Sequence, residues 1–196
     1  MEETFNITVE MLKVKGACAS GMRDFLREFP REQYPDGADY QEVLNRCAEH
    51  KRPNYAEWLL NEFGATNTTL SVDEINTDGY VFFAGRIAAR GKIRCKAIMV
   101  GREIEAGWGI KAGWGIKAGC GIKAGWGIEA GWGIEAGEGI EAGWGIEAGK
   151  GIEAGEDFGV YAGLAVRLSD KSQYAKITAK EKPANIICGE WVPFDD

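Results

Sequence analysis

Residues 104–155 read IEAGWGIKAGWGIKAGCGIKAGWGIEAGWGIEAGEGIEAGWGIEAGKGIEAG. Isoleucine returns at every sixth position, and the unit is I-(E/K)-A-G-x-G, in which only x varies widely. Two glycines per six residues would cost a helix about 2 kcal/mol per unit relative to alanine. Collagen is excluded because glycine does not occupy every third position. A six-residue period with fixed aliphatic and glycine positions is typical of a β-solenoid.

The repeat predicts a direction for each side chain. Isoleucine and alanine lie two residues apart in every unit, so they share one face of a short strand, which we expect to line the core. The residue between them is always Glu or Lys in this run, so we expect it to face water. The two glycines that flank position x are expected to supply the backbone freedom that a sharp corner needs.

Position x separates into three columns when it is read in threes. The columns are Trp108, Trp126 and Trp144; Trp114, Trp132 and Lys150; and Cys120, Glu138 and Glu156. Reading in twos mixes residue classes, so we predict a triangular coil with three six-residue sides. The nine units then form about three coils, roughly 15 Å tall at about 4.8 Å per rung. A buried slot would not accept Glu or Lys without partners, so we expect x to be exposed.

The stretch AGWGIKAGWGIKAGCGIKAGWGIEAG, residues 106–131, resembles a group of bacterial and prophage-encoded proteins with tandem GIEAG-type repeats. It is also loosely similar to the bactofilins, which are triangular β-solenoids. The resemblance covers about residues 98–156 and implies an architecture, with no catalytic residues to carry over. Bactofilin solenoids polymerise through bare ends, whereas sequence flanks this repeat on both sides.

The segment before the repeat, residues 1–66, is expected to form a small helical domain. Apolar side chains recur at helical spacing in four segments, which are residues 8–15, 20–29, 39–50 and 53–63. Thr8 is a candidate N-cap, and Pro30, Pro53 and Gly64 mark helix boundaries. The last two helices have the spacing of a helix-turn-helix, but the acidity of this part of the chain favours a plain helical bundle.

The solenoid body is expected over residues 98–157, with entry strands in residues 67–97 and capping strands in residues 158–196. The ends of a solenoid expose unpaired strand edges, so capping is needed. The predicted fold class is therefore α+β, a small N-terminal helical domain followed by a short hexapeptide-repeat β-solenoid. Because the helical domain is larger than a cap needs, it is a second candidate for binding.

The net charge of −7 is unevenly distributed. Residues 86–123 carry nine basic and two acidic side chains, whereas residues 124–157 carry one basic and eight acidic ones. The overall acidity argues against direct nucleic-acid binding. The acidic start lacks an apolar signal region, no run of about 18 apolar residues occurs, and five cysteines are scattered. These features predict a cytoplasmic protein that does not span a membrane.

Residues that would support catalysis are sparse. Acyltransferases built from six-residue repeats rely on a histidine base, but the one histidine, His50, lies in the predicted helical domain. Cys47 and His50 are three residues apart, and two ligands do not make a metal site. The chain has no CxxC pair, phosphate loop or nucleophile elbow. We therefore predict no enzymatic activity, no cofactor and no metal.

The tryptophans are the feature that the architecture leaves unexplained. A soluble protein rarely exposes a contiguous aromatic patch unless it binds a partner, and tryptophan is frequent at interface hot spots. The alternative is that stacked rings only stabilise the ladder. Together with the acidic last units, they give the candidate partner-binding residues Trp108, Trp114, Trp126, Trp132, Trp144, Glu138, Glu141, Glu147, Glu153 and Glu156.

Protein–protein interaction with a host protein is the function that the sequence favours. Its specific version is a phage- or prophage-encoded inhibitor of a host nuclease or defence complex, because a rigid acidic rod can imitate duplex DNA, as pentapeptide-repeat proteins do for topoisomerase. The basic early coils count against pure mimicry. One alternative is a self-assembling scaffold, a homo-oligomer whose oppositely charged halves attract. Another is carbohydrate binding along the tryptophans.

Overall fold

The structure is a computed structural model that describes residues 5–194. It begins with the predicted small helical region, which also contains a short antiparallel strand pair. The elements are β1 (Asn6–Ile7), α1 (Val9–Val14), α2 (Ala19–Glu28), β2 (Ala38–Asp39), α3 (Tyr40–Glu49) and α4 (Pro53–Phe63). Thr8 caps α1 as predicted, because its hydroxyl accepts the Met11 N–H, and Asp39 caps α3 through the Glu42 N–H.

The helices bury one apolar face each around a common core. Leu12, Phe25, Leu44 and Leu59 are all buried there, one from each of the four helices. Tyr40 is also buried, and its hydroxyl donates to the carbonyl oxygens of Leu59 and Gly64. Burial raises the pKa of Tyr40 well above its usual range. A satisfied hydroxyl at the centre of an apolar core fixes the end of α4 against the start of α3.

From residue 69 onward the chain forms a parallel β-solenoid, as predicted. Its strands before the repeat are β3 (Thr69–Val72), β4 (Ile75–Asn76), β5 (Tyr80–Phe83), β6 (Arg86–Ala89), β7 (Ile93–Cys95) and β8 (Ala97–Val100). Those within the repeat are β9 (Ile104–Ala106), β10 (Ile110–Ala112), β11 (Ile116–Ala118), β12 (Ile122–Ala124), β13 (Ile128–Ala130), β14 (Ile134–Ala136), β15 (Ile140–Ala142), β16 (Ile146–Ala148) and β17 (Ile152–Glu153). Those after it are β18 (Val160–Tyr161), β19 (Lys176–Ala179), β20 (Ile186–Cys188) and β21 (Glu190–Pro193).

The strands stack into three parallel sheets, which confirms the triangular coil. The first sheet is β3-β6-β9-β12-β15-β18-β20, the second is β4-β7-β10-β13-β16-β19-β21, and the third is β5-β8-β11-β14-β17. Within the repeat the register advances by 18 residues per coil, so that Ile110 lies beside Ile128 and Ala112 beside Ala130. Isoleucine and alanine fill the core, and the Glu or Lys between them points outward.

The solenoid has about seven coils, so the prediction of about three is wrong. The repeat itself forms three, but β3 to β8 form two coils before it, and β18 to β21 extend the first and second sheets after it. The flanking coils escape detection because other residues replace isoleucine at inward positions. Leu70 and Val72 pack against the core in β3, and Val160 does so in β18.

The helical region packs on the outer face of the third sheet, against β5 and β8. Phe82 and Met99, which stand at the outward positions of these strands, belong to its core instead of facing water. Gln41 of α3 also closes the free edge of β5. Its Nε2 donates to the Phe82 carbonyl oxygen at 2.8 Å, and its Oε1 accepts the Ala84 N–H at 2.9 Å. A side-chain amide thus takes the place of a neighbouring strand.

One coil departs from the triangular path. Between β18 and β19 the chain makes an excursion over residues 163–175, which contains a 3-10 helix (Leu168–Asp170) and α5 (Lys171–Tyr174). The excursion replaces the short corner that the repeat units form at the equivalent place. Within residues 5–194, no helix has the length and apolar character that a membrane crossing requires.

Candidate functional site

Trp108, Trp126 and Trp144 form a column at the first corner, the edge between the first and second sheets. Neighbouring rings are stacked, with centroids 5.8 Å apart and planes 12° and 14° from parallel. The backbones of the three tryptophans are also hydrogen-bonded to one another. The Trp126 N–H donates to the Trp108 carbonyl oxygen, and the Trp144 N–H donates to the Trp126 carbonyl oxygen. The three side chains stay 56, 54 and 42% exposed, as predicted for position x.

The excursion continues this Trp column beyond the repeat. The ring of Tyr174 lies 5.0 Å from that of Trp144, centroid to centroid. The same excursion exposes Leu164 and Leu168, and its start is fixed by a hydrogen bond from the Gly163 N–H to the Trp144 carbonyl oxygen. Sequence reasoning missed these residues because they lie outside the six-residue period. The aromatic surface is therefore four rings long, with two exposed leucines on the segment that supplies the fourth.

Trp114 and Trp132 occupy the second corner, between the second and third sheets, and behave differently. The Nζ of Lys96 lies 5.3 Å from the Trp114 ring centroid, and that of Lys150 lies 5.5 Å from the Trp132 centroid. Tyr80 makes an edge contact with Trp114. Among the ring contacts of residues 5–194, none joins Trp114 to Trp132. Here each indole is matched with a cation instead of with another indole.

The acidic candidates do not form one patch. Glu141, Glu147 and Glu153 are the outward residues of β15, β16 and β17, so they lie on the first, second and third sheets respectively. Glu138 and Glu156 stand at the third corner, between the third and first sheets. Glu138 and Glu141 line a common depression, which Asp157 also borders.

Three lysines of the basic coils pair with glutamates of the next coil. Lys111, Lys117 and Lys123 contact Glu129, Glu135 and Glu141, one pair on each sheet. The Lys117–Glu135 distance is 2.8 Å, and Lys117 also lies 2.8 Å from Glu57 of α4. Burial lowers the pKa of Lys117, but the hydrogen bonds that its ammonium donates to Glu135 and Glu57 outweigh burial and raise the pKa overall. The change from Lys to Glu along the repeat therefore places each of these lysines beside a glutamate of the adjacent coil on the same sheet.

The cysteines differ in their surroundings. Burial raises the pKa of both Cys47 and Cys95 to about 12, so neither is a ready nucleophile. Cys120 is half-buried, and burial together with Glu103 and Glu138 raises its pKa. Cys18 is exposed, and hydrogen bonds from Ser20 and the Gly21 N–H lower its pKa. Within residues 5–194, no group of three or more His, Cys, Asp or Glu side chains is arranged to hold a metal ion.

Residues 1–67 match the family model of the YdhT N-terminal domain, so the helical region is similar to that domain. The match ends where the solenoid begins. Comparison with curated proteins and with solved structures gave no significant match. Fold and site together define a class, a parallel β-solenoid protein with an exposed aromatic edge and a docked helical domain. The resemblance of the repeat to GIEAG-repeat proteins and bactofilins stays a prediction.

Proposed function

We propose that this chain is a non-catalytic protein-binding module whose contact surface is the Trp column at the first corner, extended by Tyr174. The observation that carries the proposal is the ladder of stacked, half-exposed indoles. Each tryptophan is hydrogen-bonded through its backbone to the rung below and stacks its ring on a neighbouring indole, so little side-chain entropy remains to be lost on binding. Large aromatic side chains held in this way are the residues that dominate protein interfaces.

A protein partner suits this surface better than a sugar does. Sugars stack on exposed ring faces, but here the faces of Trp126 are covered by Trp108 on one side and Trp144 on the other. Trp126 is still 54% exposed, so its contact with solvent is made mainly by the ring edge, and Leu164 and Leu168 of the excursion are exposed as well. A long apolar edge of this kind fits an apolar groove or helix face on a protein.

The proposed partner is a host protein, and the site of action proposed is the cytoplasm. The more specific proposal, a phage- or prophage-encoded inhibitor of a host nuclease or defence complex, is supported by the resemblance of the repeat. Imitation of duplex DNA receives less support, because Glu141, Glu147 and Glu153 lie on three different faces and three of the nine repeat units carry Lys in place of Glu. The aromatic edge, and not the acidic coils, is therefore the surface we assign to binding.

The experiment compares two tryptophans that occupy position x in one coil. Partners are captured on the tagged full chain after nuclease treatment, identified by mass spectrometry, purified, and titrated against wild type, Trp126→Ala and Trp132→Ala. We expect Trp126→Ala to weaken binding by about tenfold or more, the effect of losing a hot-spot residue. Trp132→Ala, 63% exposed at the second corner, should change it by about twofold or less.

Circular dichroism must show that both variants are folded, because ring stacking also stabilises the ladder. Equal losses in the two variants would contradict the assignment to the first corner. Capture of no partner, or of one that both folded variants bind as wild type does, would contradict the proposed function itself.

A further inference from the structure

The helical region contains a cavity of about 340 Å³ that is separate from the Trp column. It lies among α2, α3, α4 and the end of α1, and its volume is in the range of small-molecule sites. Its wall is mainly apolar, with contributions from Leu12, Phe25, Phe29, Val43, Trp58 and Leu59. Water in contact with such a wall is unfavourable, so an apolar occupant that displaces it is favoured.

Small residues keep the cavity open on the side of α2. Gly16, Ala17 and Gly21 line it there, and a methyl group added to Gly21 would meet only the Cys18 sulfur, at 3.4 Å. Larger side chains at these positions would extend into the space. The cavity is therefore open because the residues at this edge are small, and a larger residue introduced at Gly21 should fill it.

Charged groups surround the mouth of the cavity. Arg27 is held by Asp24 at 2.9 Å and by Glu28 at 3.2 Å, and Glu28 also contacts His50. Both carboxylates that line the cavity are therefore already engaged with a neighbouring side chain. Arg46 pairs with a different carboxylate, that of Glu49, at 2.7 Å. The remaining arginine, Arg52, is therefore the side chain that is best able to contact a bound anion.

Arg52 has the loosest contact with a carboxylate among these cations. It lies 3.9 Å from Asp24 and over the ring of Tyr55, whose centroid is 5.7 Å from its Cζ. It also precedes α4, a helix of 11 residues that begins at Pro53 without a side-chain cap. A cation beside the positive end of a helix dipole favours a negatively charged group.

We propose that this cavity binds a small amphipathic carboxylate. The apolar body of the ligand lies against the wall formed by Phe25, Val43 and Leu59, and its carboxylate faces Arg52 at the start of α4. The apolar cavity favours ligands with an apolar body, and Arg52 favours those that carry a negative charge. The site is independent of the Trp column, so either proposal can fail alone.

The test titrates the purified full chain with octanoate and with octanol, its uncharged counterpart, by isothermal calorimetry. We expect saturable binding with a preference of about tenfold for octanoate. Gly21→Met, which places a flexible side chain in the cavity, should weaken both ligands by about tenfold. Arg52→Gln should bind octanol as wild type does and lose the preference for octanoate. Arg31→Gln, an exposed arginine paired with Glu10, is the matched control and should leave both affinities unchanged.

Trp126→Ala should also bind octanoate as wild type does, which distinguishes the cavity from adsorption to the aromatic edge. Absence of saturable octanoate binding to the wild type would overturn the proposal. So would a preference for octanoate that survives in Arg52→Gln, a result that remains decisive even if Gly21→Met fails to fold.

Discussion

The first glycine of each repeat unit lies directly over the coil below it. A Cβ atom at Gly125 would overlap the carbonyl oxygen of Gly107, 18 residues earlier, and the same relation holds through most of the repeat. None of the repeat glycines has a positive φ. The first glycine is therefore required by the close approach of two backbones, and not by the conformational freedom at a corner that the sequence suggested for it.

Among the first glycines of the repeat units, Gly113 is exempt, and it provides a control. A Cβ at Gly113 would have its nearest neighbour at 3.6 Å, because the corner below it, at Lys96, is shorter by one residue. We expect Gly125→Ala to lower the free energy of unfolding by about 1–3 kcal/mol through overpacking. Gly113→Ala should be neutral or should stabilise by up to about 1 kcal/mol, because alanine restricts the unfolded chain.

Urea unfolding followed by circular dichroism measures both glycine substitutions on the same scale. Equal effects at the two positions would show that backbone conformation, and not the approach of the two coils, dictates glycine here. The inward isoleucines, by contrast, could be predicted from spacing alone, because a side-chain period of two needs no knowledge of the neighbouring coil.

At the scale of elements, the helices were predictable and the excursion was not. The predicted helix over 53–63 is α4 to the residue, since Pro53 and Gly64 mark its ends in the sequence. Capping strands were expected in residues 158–196, but only Val160–Tyr161 forms a strand before the excursion begins. The contact between Tyr174 and the Trp column therefore could not be predicted from the local sequence.

The junction between the helical region and the third sheet depends on contacts distant in sequence. The outward Phe82 and Met99 interrupt the polar pattern that Lys117 and Glu135 follow in later coils, so the sequence did contain a signal for a docked partner at this face. The contact of Gln41 with β5 could not be predicted from the sequence, because a glutamine on a helix is ordinarily a surface residue. Its role becomes evident only when α3 lies against β5.

Gln41→Ala tests this edge closure. The substitution leaves the Phe82 carbonyl and the Ala84 N–H without their side-chain partner, which should lower the free energy of unfolding by about 1–3 kcal/mol. Gln33→Ala, at an exposed position outside the junction, should change it by about 0.5 kcal/mol or less. Urea titration of the two variants gives the comparison, and a Gln41→Ala midpoint equal to that of wild type would contradict the closure.

At the scale of the whole molecule, many of the charges that make the chain basic in one part and acidic in another are paired within the same molecule. On every sheet a lysine of the repeat pairs with the glutamate 18 residues later, in the next coil: Lys111 and Lys117 of the third coil with the fourth, and Lys123 of the fourth with the fifth. The basic second coil is paired as well, since Arg86 contacts Glu105 and Arg90 lies 3.1 Å from Asp73. Charges that attract neighbours within one molecule are less available to attract a second copy, which weakens the head-to-tail scaffold hypothesis.

The association state should therefore not depend on ionic strength. Lowering the salt concentration lengthens the distance over which charges act, so a charge-driven assembly would grow under these conditions. We expect sedimentation velocity to give the same mass at low and at physiological salt, and not a series of larger species at low salt. A mass that rises as salt is removed would restore the scaffold hypothesis, because the ion pairs between successive coils would then leave enough unpaired charge to join two solenoids.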